Sequence, residues 1–411
     1  MRIVFFSHSH PGISKGGGEI SAYNSFLQAR LDGHECLFIY GRSQRAKPGK
    51  SNIIRKSRDE YSIEFDYFDD FGHISADLNL FWSINNVLIE FRPDVVHFHH
   101  FWNIGVDLVF FLSNTLKQVV FVITLHEFLA ICHHSGQMIT TGGELCKIST
   151  PESCSACFPQ ISPKNFEVRK SRIVRALECF DVITTPSEFV AQRLYTWGNF
   201  PAIIIIENGL VISDSTPYIN DVGDVSSSFA YFGQITAFKG IDIMVAAVID
   251  YMSRGGVVAK FYVHGVTREA FILQFGIIWR QYIDAMSEHL FFMGPYVANE
   301  AVHLMSRYGY IVVPSIWWEN SPLVIQEAFA AGRPVIATNL GGMREKVEHN
   351  KNGMLFERRD HTALSRIFSK LSGNNSEWMR LRAGIRPVRS IKSINEDLYQ
   401  IYKYEIAKKS L

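Results

Sequence analysis

Apolar residues along this chain gather in short runs that end in polar or glycine-rich turns, and segments of helical spacing separate them. Residues 2–6 form the first such run, followed by the loop His8-Ser9-His10-Pro11-Gly12 and by Lys15, Gly16, Gly17 and Gly18. The spacing predicts a helix from near Glu19, with Ile20, Tyr23, Phe26 and Leu27 on one face and a stop toward Gly33. Further strands are predicted at 35–40, at 94–100 ending in His97, His99 and His100, and at 119–125 ending at His126-Glu127. Two more begin at Asp181 and Ala202. Between 211 and 228 the composition turns to Ser, Asp, Thr, Pro and Gly, which reads as a linker. A second alternating series starts at Phe229, with strands at 260–264, 290–294, 310–314 and 333–337. The terminal run 395–408 places Leu398, Ile401, Tyr402 and Ile406 on one helical face. Two alternating series predict an α/β protein with two doubly wound parallel sheets.

The most informative stretch is 314–332, Pro-Ser-Ile-Trp-Trp-Glu-Asn-Ser-Pro-Leu-Val-Ile-Gln-Glu-Ala-Phe-Ala-Ala-Gly. Ser321 is predicted to cap a helix whose first residue is Pro322, where a missing N–H is tolerated. Leu323, Ile325, Ala328 and Phe329 share a face, and Gly332 supplies a left-handed stop. The N–H groups around Leu323 and Val324, together with the helix dipole, make an anion site. Glu319, beside Asn320 in the loop, and Glu327 in the helix bracket that site. A carboxylate beside an anion site repels phosphate, so both suit hydroxyl groups. The stretch reads as a clamp for a ligand with phosphates and hydroxyls, such as a nucleotide sugar. Gly17-Gly18 and Lys239-Gly240, each after a strand, are further turns suited to a diphosphate. Spacing alone is weak: with 40 acidic residues in 411, roughly one in ten has another eight positions on by chance.

The context around the two glutamates resembles the Glu-x7-Glu element of the retaining transferases of glycosyltransferase family 4. It runs through Pro314-Ser315, Glu319, Glu327-Ala328, Gly332-x-Pro334, Gly341-Gly342 and Glu345. The resemblance covers nearly the full chain, most strongly 229–357, and implies the GT-B fold, two Rossmann-like domains facing across a cleft. On that basis residues 1–210 are the acceptor-side domain, 211–228 the linker and 229–390 the nucleotide-sugar domain. Residues 391–411 are then a helix that returns to the first domain. The resemblance places Gly17 and Gly18 toward the donor and His126 against the donor sugar, where it stabilises the departing region. It puts Lys239 on the diphosphate, Glu319 on hydroxyls of the donor sugar and Glu327 on the ribose. The loop residues Asn320, Ser321, Pro322, Leu323 and Val324 complete the grip, and the turn with Gly294 and Tyr296 takes the base. Gln234 stands where the family has an arginine, which removes one cation from the diphosphate site.

The reaction implied is retaining transfer from a nucleoside diphosphate sugar to a glycan or lipid-linked glycan, in bacterial surface polysaccharide synthesis. A nucleotide-sugar 2-epimerase and a non-catalytic nucleotide-sugar-binding subunit share the architecture and remain alternatives. No cofactor is implied for transfer, and Asp66, Asp69 and Asp70 do not form an Asp-x-Asp metal pair.

Composition adds boundaries. Lys+Arg 41 against Asp+Glu 40 gives a net charge of +1, which does not suggest a nucleic-acid partner. The N-terminus turns polar too early for a signal peptide and no apolar run reaches ~18 residues, so a cytoplasmic protein is expected. Cys132, Cys146, Cys154 and Cys157 fit a structural zinc site, buried thiols or redox use. Residues 163–180 read as a basic amphipathic helix carrying Lys164, Arg169, Lys170, Arg172 and Arg175. Such a helix suits either peripheral contact with the inner membrane surface or packing on the sheet with its polar face in water. The basic loop 42–56 likewise suits either solvent or an anionic acceptor.

Overall fold

The computed structural model describes residues 1–14, 16–211 and 225–410. Lys15 of the first glycine turn and residues 212–224 of the expected linker lie outside the described residues. The chain divides into two compact units, Met1–Val211 with Ser390–Leu411, and Ile212–Arg389.

The first unit begins β1 (Arg2–Ser7), α1 (Gly17–Leu31), β2 (Glu35–Gly41), β3 (Asn52–Arg55) and β4 (Glu60–Glu64). It continues α2 (Leu78–Phe91), β5 (Val95–His99), α3 (Val106–Thr115) and β6 (Val120–Thr124). Then come α4 (Pro151–Cys157), α5 (Pro163–Leu177), β7 (Val182–Thr185), α6 (Glu188–Trp197) and β8 (Ile203–Ile205). The eight strands lie in the order β3-β4-β2-β1-β5-β6-β7-β8, all parallel except the β3–β4 pair. Ile3, Val4, Phe5 and Phe6 of β1 are buried on both sheet faces, which is why the run carries no polar alternation. The order reverses between β1 and β5, so the loops after these strands diverge and open a crevice at the sheet's C-terminal edge.

The second unit holds β9 (Ser228–Phe232), α7 (Ile241–Ser253), β10 (Lys260–His264), α8 (Arg268–Phe275) and α9 (Trp279–Ala285). Next are β11 (Leu290–Gly294), α10 (Ala301–Met305), β12 (Tyr310–Val313), α11 (Leu323–Ala330) and β13 (Val335–Thr338). It closes with α12 (Gly341–Lys346), β14 (Gly353–Phe356), α13 (His361–Leu371) and α14 (Asn375–Ala383). Its six-stranded parallel sheet has the order β11-β10-β9-β12-β13-β14, with the reversal between β9 and β12. Register puts Phe229 beside Phe261 on one side and Tyr310 on the other, and the rings stack at 5.4 and 5.1 Å. Trp378 of α14 closes the core and donates its indole N–H to the Gly309 carbonyl at 2.8 Å.

The last helix, α15 (Ile391–Lys409), belongs to the first unit. Ile391 N–H bonds the Leu210 carbonyl at 2.7 Å, so the chain leaves and re-enters this unit side by side. Leu398 and Tyr402 join a core cluster with Phe5, Phe26 and Phe38. Asn395 donates to the Ser25 carbonyl at 2.9 Å, and Tyr399 donates to Asp32 at 2.8 Å. The helix starts at Ile391, where the Ser390 hydroxyl accepts from Ser393 N–H and caps it.

Two local expectations are corrected. Residues 52–55 of the basic loop pair antiparallel with β4, and Arg42 and Arg45 are bonded to Glu64 and Asp70. Arg169 is buried at 2 % exposure instead of lying on the polar face of α5. Its guanidinium donates to the carbonyls of Phe71, Ala130 and Leu129. Three fixed acceptors replace its water shell.

Tyr402 tests the docking of α15: its ring is fully buried and its hydroxyl lies 2.6 Å from His97 Nδ1. Tyr402→Phe is expected to cost about 1 kcal/mol through the lost hydrogen bond, and Tyr402→Ala about 3–5 kcal/mol through the cavity as well. Urea unfolding midpoints check both; equal midpoints for the three proteins would remove α15 from the core.

Candidate functional site

In the second unit the crevice at the β9/β12 reversal is walled by the loops that follow these two strands. The loop after β12 is pinned from both sides. Ile316 N–H bonds the Phe238 carbonyl at 2.8 Å, and Arg358 Nε donates to the Ile316 carbonyl at 2.7 Å. A Cβ at Gly240 would lie 1.9 Å from the Pro314 carbonyl oxygen, and Gly240 also has φ +67°. A Cβ at Gly342 would lie 1.8 Å from the Asn320 carbonyl oxygen, while Gly342 N–H bonds the Glu319 carbonyl at 2.7 Å. Only glycine permits such approaches, so both positions shape the loop.

That loop delivers Glu319, which is buried at 7 % exposure. One carboxylate oxygen accepts from Lys239 Nζ at 2.7 Å, from Ser315 Oγ at 2.8 Å and from Trp317 Nε1 at 2.8 Å. Burial opposes its charge, but the Lys239 charge and these hydrogen bonds outweigh it and lower the pKa below the usual carboxylate range. Lys239 also lies 5.5 Å from the Trp317 ring centre, and Trp317 stacks on Phe238 at 5.7 Å. The cation expected at a diphosphate and the carboxylate expected at sugar hydroxyls are therefore bonded to each other.

Helix α11 starts at Leu323, not at Pro322, and its N-cap is Pro322 with no side-chain cap bond. Ser321 does not act as the cap: its hydroxyl is buried without a hydrogen-bond partner. Proline at the cap position displaces the start by one residue, and the N–H groups of Leu323 and Val324 have no acceptor inside the helix. Asn320 stands between Glu319 and this start. Further into α11, desolvation alone pushes the Glu327 carboxyl up to about 7. Tyr296 feels that charge: burial first, then Glu327, pushes its hydroxyl up to about 12. Tyr296 packs edge-on against Phe232 at 5.3 Å, and Gly294, with φ +73°, accepts from Gly265 N–H at 2.8 Å. Gln234 is exposed just beyond β9, where its carbonyl accepts from the Tyr231 hydroxyl at 3.1 Å.

The first unit assembles a second constellation at its own reversal. Gly17 opens α1 after the N-cap Gly16, two residues before the predicted start. Gly18 faces His126, whose Cβ would be 3.4 Å from a Cβ added there. His126 Nε2 and His99 Nδ1 share a hydrogen bond of 2.9 Å, and the two rings stack at 5.2 Å. Burial, then the nearby His8, pushes His126 down to about 4, so its imidazole is neutral at pH 7. His97 is bonded on both nitrogens, by Tyr402 and by Thr124 at 2.7 Å, and is structural. His8 lies 3.2 Å from Glu19, which also accepts from Ser14 at 2.6 Å. Burial works against both charges, yet their hydrogen bond raises His8 and, with Ser14, brings Glu19 down to about 2.

Among the described residues, no three His, Cys, Asp or Glu side chains are grouped to hold a metal ion, so the zinc reading of the four cysteines finds no ligand set. Cys146 donates to the Ile148 carbonyl at 3.5 Å, and Cys154 lies 3.1 Å from Ser149 Oγ. Local sequence carried no signal for Arg358 or for the burial of Arg169, since both act on carbonyls distant in the chain. Trp317 and Ser315 lay inside the recognised stretch, but their convergence on one oxygen depends on how the loop folds.

Two Rossmann-like units, each with glycine-bounded loops at a sheet reversal, define the GT-B class of architecture. Residues 15–213 match the family model described as Glycosyltransferase Family 4, and residues 226–374 match that described as Glycosyl transferases group 1. The chain belongs to this family of GT-B glycosyltransferases. An uncharacterised glycosyltransferase of Methanocaldococcus jannaschii, MJ1607, is 23% identical over 197 residues, covering 46% of this chain and 45% of that protein. The chain thus spans about half the length of the curated relatives it matches. The crystal structure of Anabaena Alr3699/HepE in complex with UDP has a TM-score of 0.66 at 16% identity, covering 98% of this chain and 100% of that one. Sucrose-phosphate synthase of Thermosynechococcus elongatus gives 0.66 at 15% identity, covering 99% and 100%. These likenesses concern the fold.

Gly342→Ala is expected to push the Glu319–Asn320 backbone away and to cost about 2 kcal/mol, read as a drop of several degrees in Tm. An unchanged Tm would mean that the loop is not packed against this glycine.

Proposed function

We propose that this protein transfers a sugar from a nucleoside diphosphate sugar to a hydroxyl of a glycan or lipid-linked glycan, with retained configuration. The Lys239–Glu319 pair, 2.7 Å apart and beside the start of α11, carries this reading. Leu323 and Val324 N–H groups and Lys239 would grip the diphosphate, where negative charge builds as the sugar leaves. Lys239 then bridges the leaving phosphate and Glu319, and Glu319 directs its other lone pairs to hydroxyls of the sugar. Glu327 accepts from ribose hydroxyls, and the turn at Gly294 and Tyr296 takes the base. The UDP found with the similar Anabaena fold supports a uridine nucleotide.

In the step itself the bond from the anomeric carbon to the phosphate oxygen breaks. The acceptor oxygen bonds the same face of that carbon, and its proton passes to the departing diphosphate. No pair of free carboxylates is needed, in contrast to glycoside hydrolysis. Gln234 leaves the diphosphate with one cation fewer, which throws more of the charge stabilisation onto Lys239. In the first unit, the neutral His126 imidazole is suited to hydroxyl contact, held in place by His99. Surface polysaccharide synthesis is the setting this chemistry fits.

Lys239→Ala and Glu327→Ala are each expected to lower turnover at least about tenfold, measured as UDP released from UDP-sugars with glycan acceptors. Wild-type rates in both variants would refute the assignment, and an epimerised product formed from the donor alone, with no acceptor present, would point to an epimerase. Because Glu327 accepts hydrogen bonds from both ribose hydroxyls, with the added strength of a charge, when it is ionised, nucleotide affinity should be full above pH 7. It should fall by up to about tenfold per pH unit as Glu327 gains a proton below 7. Glu327→Gln should abolish that slope in calorimetric titrations with UDP.

A further inference from the structure

The connections β4 to β5, β5 to β6 and β6 to β7 all step in one direction along the first sheet. Right-handed crossovers therefore set α2, α3 and α5 side by side on one face, and α3 packs against both neighbours. The outward side of this row carries large apolar side chains along one edge of α2, beside the polar Asn79, Ser83, Asn86 and Glu90 expected of a surface helix. Leu78, Trp82 and Ile89 form one stripe along α2, exposed by 62, 52 and 54 %. The helix carries no cation in its last turn and no acid in its first, and Asp77, the residue before it, is spent capping Leu80 N–H. Trp82 meets Phe111 of α3 edge-on at 4.9 Å, which joins the stripe to the next helix. Beyond it a groove of about 390 Å³ is lined by Phe110, Val168, Ser171, Arg172 and Arg175.

We infer that this face seats on a bilayer containing anionic phospholipid, with Trp82 and Ile89 entering the interface and Arg172 and Arg175 taking headgroup phosphates at the groove. Aromatic and aliphatic side chains beside arginines match the chemistry of the headgroup–acyl boundary. Glu90, Glu167 and Glu178 are exposed on the same helices, and Lys164 offsets part of their charge. The apolar stripe thus supplies most of the attachment and the arginines select the headgroup. A symmetric contact between two copies is the poorer occupant, because it brings like guanidinium groups together around the twofold axis. The inference is independent of the donor-site reading in the second unit.

The full chain is floated with vesicles of phosphatidylcholine alone and with phosphatidylglycerol added. The expected result is binding to the mixed vesicles, weakened about tenfold or more by Trp82→Ser with Ile89→Ser. Arg172→Gln with Arg175→Gln should erase the preference for the anionic vesicles. Tm and UDP affinity, measured on each variant, are expected to stay at wild-type values, so a loss here is separable from any fault in the donor assignment. Equal flotation of wild type and the Trp82/Ile89 variant overturns the inference, as does a failure to float at low salt. A Trp82-dependent dimer in sedimentation equilibrium without vesicle binding would assign the face to a second copy instead.

Discussion

The bond between Lys239 and Glu319 depends on, and reports, the placement of one loop. Eighty positions separate these residues in the chain, and they meet because β9 and β12 are neighbours in the sheet. The loop after β12 reaches Lys239 only by lying against two backbones, at Gly240 and at Gly342. Any larger residue at either place would lift it off. Burial of Glu319 is then tolerable because a cation and two neutral donors meet one of its oxygens.

A similar economy operates in the first unit, with a different device. Arg169 crosses from α5 to bond the carbonyls of Leu129 and Ala130, in the turn that follows His126 and Glu127. Burial drops its pKa only to about 10, so it stays charged and the turn stays tied. His126 is in turn oriented by His99 from the neighbouring strand. Neutral imidazoles packed this way cost little desolvation and still present polar nitrogens at the sheet's edge.

Much of the fold was legible in the chain because parallel strands buried on both faces appear as unbroken apolar runs, as in Phe229 to Phe232. The glycosyltransferase family was legible because Glu319, Glu327, Gly341 and Gly342 fall in one short region. Helix starts were less so. Ser321 looked like a cap and is not one, since the proline that follows it takes the cap position. The pattern around Arg169 suggested a solvated cation, because periodicity reports which face a residue lies on and nothing about acceptors arriving from another element.

The sequence by itself determined two alternating α/β series, the positions of their strands and the residues fit to handle phosphate and hydroxyl groups. These follow from local rules: apolar spacing, glycine freedom and the charge of a side chain. Tertiary structure alone decided that Lys239 bonds Glu319, that Arg169 is buried against three carbonyls and that α2 keeps an apolar stripe in the open. Such outcomes depend on strand order and on crossover hand, which bring together groups far apart in the chain, and no local pattern encodes that distance.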